Sequence, residues 1–421
     1  MKNAPRRFSD LGLAPGILEA IADAGYDTPT PIQAQAIPLV LKGRDVVGLA
    51  QTGTGKTAAF VLPLIDQLLA ENKRAPGKTA RALVLAPTRE LAAQIADSVA
   101  TYAKGTRLSH AVVFGGVKAG PQVRALARGV DILIATPGRL LDHAGIGALR
   151  LDFTKRLVLD EADQMLDLGF IPAIRKILHL LGKPRQTVMF SATMPDQIRA
   201  LADQFLRDPA NIAVSPPSKP VERIAQAVRY VDASDKPAAL VDVMSQEVGK
   251  KTIVFTRTKR GADRVAKRLH EYGHKVSAIH GNKSQTQRER ALAGFKAGTM
   301  PVLVATDIAA RGIDVDSVDL VINYELPHVA ESYVHRIGRT ARAGADGRAI
   351  ALCAPDERKL LVAIEKLMGL SVRALNDAPP MPKGEAAKPK PKRRRHRGGQ
   401  QGKAGGPKGA RRAKSPSQKR A

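Results

Sequence analysis

The chain alternates short apolar runs, rich in β-branched residues, with amphipathic stretches. This pattern is typical of a mostly parallel sheet whose faces are covered by helices. The alternation extends from residue 44 to about residue 214, breaks, and then resumes. We therefore predict an α/β fold with two parallel-sheet domains in tandem. The runs predicted to be strands are residues 46–49, 82–86, 132–135, 157–159, 188–190, 253–255, 276–279, 302–305, 320–323 and 349–353.

A proline-rich segment separates the two sets of runs. Pro216, Pro217 and Pro220 fall within six residues. Proline has no backbone N–H and fixes φ, so this segment cannot lie inside a helix or a central strand. The length of 421 residues also exceeds what one hydrophobic core usually serves. The predicted organisation is a first domain over 1–214, a linker over 215–224, a second domain over 225–370 and a tail over 371–421.

The tail carries half of the net charge. The formal net charge is +28, and residues 383–421 contain eight lysines and seven arginines against one acid, Glu385. With no aromatic residue and little aliphatic surface to bury, the tail is predicted to be disordered when free. Lys and Arg release counterions when they meet phosphates, so the charge favours a polyanionic partner. The tail is expected either to tether nucleic acid or only to improve solubility, and its charge density favours tethering.

Other features of the composition bear on the setting of the protein. Cys353 is the one cysteine and lies in an apolar run, which predicts a buried thiol. Residues 1–10 do not resemble a secretion signal, and no apolar run approaches the roughly 20 residues that a membrane helix needs. We therefore expect a reduced, cytoplasmic setting without membrane contact.

A glycine-rich loop follows the first predicted strand and opens a helix. Residues 50–57 read Ala-Gln-Thr-Gly-Thr-Gly-Lys-Thr, with Ala50 where the usual motif begins with glycine. In this context backbone N–H groups surround phosphates, a lysine reaches the β and γ phosphates, and a hydroxyl faces Mg²⁺. A glycine-rich turn without function is the alternative. The predicted nucleotide-binding residues here are Gln51, Thr52, Gly53, Thr54, Gly55, Lys56 and Thr57.

An acidic segment supplies the second part of a nucleotide site. Residues 160–163 read Asp-Glu-Ala-Asp and end the predicted strand at 157–159. The carboxyl ends of strands are where ligands bind in open α/β sheets. Asp160 is therefore expected to hold Mg²⁺ with Thr57, partly through water, and Glu161 to polarise the attacking water. The predicted activity is hydrolysis of a nucleoside triphosphate.

With these elements placed, the chain resembles a DEAD-box RNA helicase from Phe8 to about Leu370. The resemblance implies two RecA-like domains and an ATP-dependent action on RNA. Residues 25–33, which read Gly-Tyr-Asp-Thr-Pro-Thr-Pro-Ile-Gln, are similar to the family's adenine-recognition segment. By this resemblance Gln33 reads the base edge and Phe8 stacks on the ring. A glutamine amide both donates to and accepts from adenine, so ATP is expected rather than GTP.

Further segments match the family in order and imply contacts with the RNA backbone, which give affinity without sequence specificity. Those in the first domain are Pro87, Thr88, Arg89, Gly115, Gly116, Thr136, Pro137, Gly138 and Arg139. Those in the second domain are Arg257, Gly281, Gln285, Arg288, Thr306 and Asp307.

The resemblance also implies residues that link the nucleotide to RNA. Ser191 and Thr193 are expected to connect toward Asp163, and His335 and Arg336 to join the network between the domains. Arg339 and Arg342 are implied arginine fingers on the γ-phosphate, and Asp314 an implied ribose contact. Three arginines at a spacing of three repel one another on a helix unless an anion lies between them. Ala341 stands where most members carry glycine.

Finer features favour one branch of the family. The segment 279–285, with Asn282 where many members have Asp, and the segment 254–259 resemble the bacterial RhlE-type branch. The branch implies ribosomal precursors or the RNA-degradation machinery as partners, in ribosome assembly or RNA turnover. Two other functions stay open: an ATP-gated RNA clamp or annealing chaperone, which the basic tail supports, and a DNA translocase, against which Gln33, Phe8 and the acidic segment argue.

Overall fold

The computed structural model of the protein describes residues 7–51, 53–214, 223–310, 318–341 and 346–377. Several predictions fall outside the described residues. These are Thr52, Asp314, Arg342, nearly all of the linker at 215–224, and the tail from residue 378 onward.

The first sheet is built from seven parallel strands. Its order is β3-β4-β2-β5-β6-β1-β7. The strands are β1 Val46–Leu49, β2 Ala80–Leu85, β3 His110–Val113, β4 Val130–Ala135, β5 Arg156–Leu159, β6 Gln186–Ser191 and β7 Ala210–Ala213.

Helices cover both faces of this sheet because successive side chains on each strand point to opposite faces. On β2, Val84 belongs to one hydrophobic cluster, whereas Leu83 and Leu85 belong to the other. A 3-10 helix at Phe8–Leu11 precedes the α-helices. These are α1 Pro15–Asp23, α2 Pro31–Leu41, α3 Lys56–Ala70, α4 Arg89–Tyr102, α5 Ala119–Leu126, α6 Pro137–Gly145, α7 Ala162–Asp167, α8 Ile171–Leu180 and α9 Asp196–Phe205.

The second sheet repeats the topology of the first. Its order, β10-β11-β9-β12-β13-β8-β14, is the first order with seven added to each number, and its strands are again parallel. The strands are β8 Ile224–Tyr230, β9 Thr252–Thr256, β10 Val276–Ile279, β11 Val302–Thr306, β12 Leu320–Asn323, β13 Gly347–Cys353 and β14 Arg373–Ala374. The helices are α10 Lys236–Gln246, α11 Lys259–Glu271, α12 Gln285–Lys296, α13 Asp307–Ala310, α14 Ala330–Ile337 and α15 Arg358–Met368, with a 3-10 helix at Pro355–Glu357.

The predicted fold class is confirmed. Each of the ten predicted runs overlaps a strand, and Cys353 is buried as expected. The strands that we did not predict are β3, β7, β8 and β14. The second sheet begins at Ile224 and includes Ala374, while the domain boundaries themselves stay predictions. Among the described helices, none has the length and apolar composition that a membrane crossing requires.

Candidate nucleotide and nucleic-acid site

The loop between β1 and α3 has a backbone that glycine makes possible. Gly53 and Gly55 adopt φ of 85° and 86°, in the left-handed region that other residues avoid. Gly55 is also crowded, because a Cβ there would lie 2.4 Å from Nε2 of Gln33. The loop is closed by a hydrogen bond of 2.7 Å from the Thr54 hydroxyl to the carbonyl oxygen of Gln51. The predicted phosphate loop therefore has the required turn at a helix N-terminus.

Lys56 begins α3 and carries a buried charge. Its side chain is 6% exposed, and its Nζ atom has no hydrogen-bond partner among the described residues. Burying a cation without a partner is costly, so such a group is suited to an anionic ligand. The lysine and the N-terminus of α3 together fit the phosphates of a nucleotide.

Two buried carboxylates follow β5. Asp160 is 2% exposed and Glu161 3% exposed, and Asp160 Oδ1 accepts a hydrogen bond of 3.0 Å from the Glu161 N–H. Burial raises the pKa of Asp160 to about 7, although the charge of Lys56 opposes the rise. Glu161 has φ 53° and ψ 54°, a left-handed conformation that a non-glycine residue adopts at a cost. Mg²⁺ bound with a nucleotide uses one or two carboxylates besides phosphate and water, so Asp160 and Thr57 fit this ion.

The phosphate loop opens into a cavity of about 740 Å³. Its lining includes Phe8, Gln33, Gly53, Lys56, Thr57, Asp160 and Glu161. Gln33 connects the adenine-recognition segment to the loop, since its Nε2 donates to the Gly55 carbonyl at 3.1 Å and its Oε1 accepts from the Thr30 N–H at 2.9 Å. Base reading by Gln33 stays a prediction. The structure adds that its amide also fixes the position of the loop.

The acidic segment is hydrogen-bonded to the end of β6. Asp163 Oδ2 accepts from both the backbone N–H and the hydroxyl of Thr193, each at 2.9 Å. The hydroxyl of Ser191 accepts from the Asp163 N–H at 3.2 Å. The predicted contacts between these three residues are therefore present. Their role in coupling stays a prediction.

The first half is the part of the chain that forms the first sheet, and the second half is the part that forms the second sheet. The three predicted RNA segments of the first half lie side by side. They follow β3, β4 and β2, which are neighbours in the sheet, so their loops meet at one edge. The Arg89 guanidinium packs so closely on Gly116 that a Cβ there would lie 2.1 Å from its Nη2 atom. Arg139 donates to the Val117 carbonyl at 3.1 Å, and Thr88 caps α4 by accepting from the Leu91 N–H at 3.2 Å.

Residues of the second half reach this same edge. Arg89 donates to Oε1 of Gln285 at 3.3 Å. Arg288 donates to Oε1 of Glu90 at 2.7 Å, and both side chains are buried, with 9% and 5% exposure. Burial and the neighbouring charge of Arg288 lower the pKa of Arg89. This concentration of arginines favours an anionic ligand across the two halves.

Two residues predicted to contact RNA lie in ion pairs, and their RNA contacts stay predictions. Asp307 accepts two hydrogen bonds from the buried Arg336, at 2.5 and 2.8 Å. Arg257 pairs with Glu325 at 3.8 Å and with Glu357 at 3.3 Å. Of the other residues predicted to contact RNA, Thr306 is buried at the end of β11. Gly281 lies beside Lys259, because a Cβ added at Gly281 would be 3.3 Å from the Cε atom of Lys259.

Of the two predicted arginine fingers, Arg339 lies within the described residues, and the structure does not bring it to the nucleotide cavity. Arg339 lines a separate small cavity with Phe255, Asp307, His335 and Arg336. Within the described residues, Lys296 is the one residue of the second half that lines the nucleotide cavity. The contact of Arg339 with the γ-phosphate therefore stays a prediction that requires a different arrangement of the halves.

Sequence reasoning missed residues that hold this site together. Glu90 pairs with Arg288, and Gln122 links two of the predicted RNA segments. The Gln122 amide donates to the carbonyl of Phe114 at 3.0 Å, and Phe114 directly precedes the glycine pair, Gly115 and Gly116. The Oε1 atom of Gln122 is 3.0 Å from Nε2 of His143 on α6. Glu90 directly follows a predicted RNA segment, but no sequence signal marks its pairing or the role of Gln122, because their partners are known only from the fold.

Comparison with known proteins places the chain in a family. The DEAD/DEAH box helicase profile matches residues 30–201, and the helicase conserved C-terminal domain matches residues 235–344. The RNA helicase CrhR of Synechocystis is 46% identical over 85% of the chain and 72% of its own length. The chain belongs to the DEAD-box RNA helicase family. The DEAD-box ATP-dependent RNA helicase 30 of Arabidopsis thaliana is 44% identical over 86% of the chain, which spans 62% of that relative.

Solved structures of DEAD-box proteins are similar to this DEAD-box chain over most of its length. Dbp5 of S. cerevisiae bound to RNA and ADP BeF3 is 32% identical, with a TM-score of 0.77 over 87% of this chain and 95% of its own. A DEAD box protein of Methanococcus jannaschii is 40% identical, with a TM-score of 0.51 over 89% of this chain and 100% of its own. Both similarities confirm the tandem RecA-like fold.

Proposed function

We propose that this protein is an RNA-dependent ATPase that separates short RNA duplexes locally or remodels RNA–protein complexes, with ATP and Mg²⁺ as cofactors. The observation that carries the proposal is that this DEAD-box chain combines two features. One is the cavity where Lys56 and Asp160 are buried together, and the other is the edge where Arg89 and Arg288 converge from the two halves.

In the proposed reaction the predicted site residues of the nucleotide cavity have the following tasks. Lys56 binds the terminal phosphates, and Glu161 orients the attacking water. The Thr57 hydroxyl and the Asp160 carboxylate would hold Mg²⁺, which neutralises charge on the phosphates when bound. Phe8 and Gln33 would select adenine.

Hydrolysis would require both halves of the molecule. We infer that joint binding of ATP and RNA brings Arg339 and Arg342 to the γ-phosphate and Asp314 to the ribose. Asp163, Ser191, Thr193, His335 and Arg336 would transmit the nucleotide state to the RNA surface. An RNA strand bent across both halves cannot stay in a regular duplex, so local separation follows, and hydrolysis would reopen the halves.

RNA would be held by its backbone, with the tail as an additional tether. Arg89 and Arg139 support this proposal, because guanidinium groups and backbone N–H groups bind phosphates of any sequence. The fifteen cations of residues 383–421 would add contacts whose affinity falls with salt, by roughly 0.7 to 0.9 logarithmic units per phosphate contact for each decade of salt concentration.

We further propose a finer assignment and organisation. The segment around Asn282 supports the RhlE-type branch, acting in the cytoplasm on ribosomal precursors or with the RNA-degradation machinery. The domain limits proposed are those at residues 214, 224 and 370.

The deciding experiment is a measurement of ATP hydrolysis with and without RNA. We expect RNA to stimulate the wild-type chain and DNA of the same sequence to do so far less. Glu161→Gln should bind ATP and RNA normally but fail to turn over, and Lys56→Ala should also lose nucleotide affinity. Normal turnover by Glu161→Gln would reject the assigned role of Glu161, and equal stimulation by DNA would favour a DNA translocase.

A second candidate, an ATP-gated RNA clamp or annealing chaperone, is favoured by the basic tail. The test compares strand separation with strand annealing for the intact chain and for residues 1–382, which retain both sheets. Separation that persists without the tail supports the helicase. Annealing that depends on the tail, without separation, supports the chaperone. An unchanged salt dependence of RNA binding in residues 1–382 would reject tethering.

A further inference from the structure

A large apolar groove lies between α6 and α8, outside the nucleotide cavity. It encloses about 810 Å³, and its floor is formed by Leu141, Leu149, Leu151 and Leu180. Leu149 and Leu151 are buried in the domain core, whereas Leu180 is 49% exposed. Ile146, which directly follows α6 but does not line the groove, is 70% exposed. A groove lined by leucines, with Leu180 exposed, is typical of a site for another molecule.

The rim of the groove is basic. Arg150, Arg175 and Lys176 line it together with one acid, Asp152. Asp152 pairs with Arg150 at 3.8 Å, and both side chains are more than half exposed, so the pair contributes little. Arg175 and Lys176 are exposed on α8. The groove therefore combines an apolar floor with a positively charged rim.

We propose that this groove binds an amphipathic helix of a partner protein, with an apolar face flanked by Asp and Glu. Apolar side chains at helical spacing fill such grooves, and acids beside them meet the basic rim. The chain's own tail has an excess of fourteen positive charges, and a second copy of the chain has a net charge of +28. Both would be repelled by the basic rim, so neither is proposed as the occupant. The negative charge of RNA is complementary to the basic rim, but RNA would leave the leucines of the floor without an apolar partner.

The helix α6 connects the groove to the residues proposed to contact RNA. The helix begins at Pro137, in the segment proposed to contact RNA, and its later residues Leu141 and Ala144 line the groove. Arg139, in the first turn, holds the Val117 carbonyl beside the glycine pair. A partner helix on the second turn of α6 would therefore rest on the element that positions this part of the RNA surface.

Selection from a random library tests the chemistry of the occupant. Sixteen-residue peptides displayed on phage are selected against the full chain and counter-selected against Leu180→Glu, which places an acid on the apolar floor. The expected consensus has apolar residues three and four apart, flanked by acids. A consensus rich in Lys and Arg, or no enrichment over the counter-selection, would overturn the proposal.

A selected peptide, made synthetically with a fluorophore, then measures affinity by anisotropy. Leu180→Glu and the charge reversal Arg175→Glu/Lys176→Glu should each weaken binding at least tenfold. The matched control is Val248→Glu, which changes a valine that is 80% exposed in the second half and should bind as the wild type does. RNA-stimulated ATP hydrolysis by each variant verifies the fold.

Competition separates the partner classes. An unlabelled RNA oligonucleotide should not displace the labelled peptide, measured at a peptide concentration that leaves most grooves empty. Leu180→Glu should bind RNA as the wild type does. Displacement of the peptide from the wild type by RNA, together with weaker RNA binding by Leu180→Glu, would identify the groove as an RNA surface and reject the protein partner. Equal peptide binding by Leu180→Glu, the charge reversal and wild type would place the peptide elsewhere and reject the groove.

Discussion

Gly55 shows how a single residue determines the shape of the nucleotide cavity. A side chain at this position would meet the Gln33 amide at 2.4 Å, in a backbone conformation with φ of 86°. The strain of a left-handed non-glycine residue alone costs roughly 1–2 kcal/mol, and a shift of the loop would displace the N–H groups that face the phosphates. The contact between Gly55 and Gln33 therefore couples the adenine segment to the phosphate segment.

Gly55→Ala should lower ATP affinity at least tenfold while the protein stays folded. The measurement is titration with a fluorescent ATP analogue. Gly16→Ala is the matched control, because Gly16 lies in α1 with nothing within 4 Å of an added Cβ. Wild-type affinity in Gly55→Ala would show that the loop adjusts, and that its close approach to Gln33 is not required.

His143 predicts a pH dependence of stability. Burial, helped by the charge of Arg139, holds the pKa of this histidine below its ordinary value of 6.5. Below pH 6.5 the unfolded chain binds a proton that the folded chain does not, so this residue lowers the free energy of unfolding as the pH falls. The stabilising effect of the neutral ring is complete above pH 6.5.

His143→Gln keeps an amide donor toward Gln122 but cannot titrate in this range. We expect the wild type to lose more stability than His143→Gln between pH 7.5 and pH 5.5, measured by urea denaturation of the full chain. Comparing the two proteins removes the contribution of the other titrating groups. Parallel losses in both would contradict the assigned pKa of His143.

At the scale of elements, Gln122 links two of the predicted RNA segments. It lies on α5, donates to the Phe114 carbonyl after β3, and contacts His143 on α6. Arg139 of α6 holds the same loop at Val117. The glycine pair is therefore positioned by two helices that follow different strands.

Gln122→Leu should weaken RNA binding several-fold without a change in ATP affinity. Leucine fills the space but leaves the partly buried Phe114 carbonyl without its donor, and an acceptor left unpaired in a buried site typically costs about 1–3 kcal/mol. The half-maximal RNA concentration for ATPase stimulation should rise more than the maximal rate falls. Gln122→Glu, which can still accept from His143 but cannot donate to Phe114, should resemble Gln122→Leu; a wild-type RNA profile in both would remove Gln122 from the positioning role.

The sequence predicted the elements with uneven success, and the reasons are physical. Interior strands such as β4 are buried on both faces, so they form continuous apolar runs. The strands β3, β7 and β14 lie at sheet edges and are short, and β8 is interrupted by polar residues such as Gln226. The phosphate loop and the acidic segment were predictable because their chemistry is local in sequence.

Long-range pairing was not predictable. The sequence did not predict that Asp307 pairs with Arg336, 29 residues away, while its contact with RNA stays a prediction. Arg257 pairs with Glu357, and Glu90 with Arg288 across 198 residues. The choice among partners of opposite charge depends on the fold, which periodicity does not specify.

At the scale of the whole molecule, the Glu90–Arg288 pair connects the two halves. Both side chains are largely buried, so removing one leaves a charge in a place that water reaches poorly. Replacing both removes the charges together. The pair is therefore expected to show strong non-additivity.

Glu90→Gln and Arg288→Gln should each destabilise the contact between the halves more than the double variant does. A double-mutant cycle on thermal unfolding of the full chain measures this, with an expected coupling of about 1–3 kcal/mol. Lys267→Gln with Glu271→Gln is the matched control, since that pair is exposed at 80% and 48% within α11. Additive effects of the Glu90 and Arg288 changes would show that the halves do not depend on this contact.

The shared strand order has a consequence for synthesis on the ribosome. In each sheet the first strand made lies between the last two, since β1 pairs with β6 and β7, and β8 with β13 and β14. A nascent chain must therefore keep β1, and later β8, without a neighbour for more than a hundred residues of elongation. Unpaired strand edges are templates for aggregation. Translational pausing before residue 186 or 347 should thus be the most hazardous for this protein, and chaperone binding should peak there.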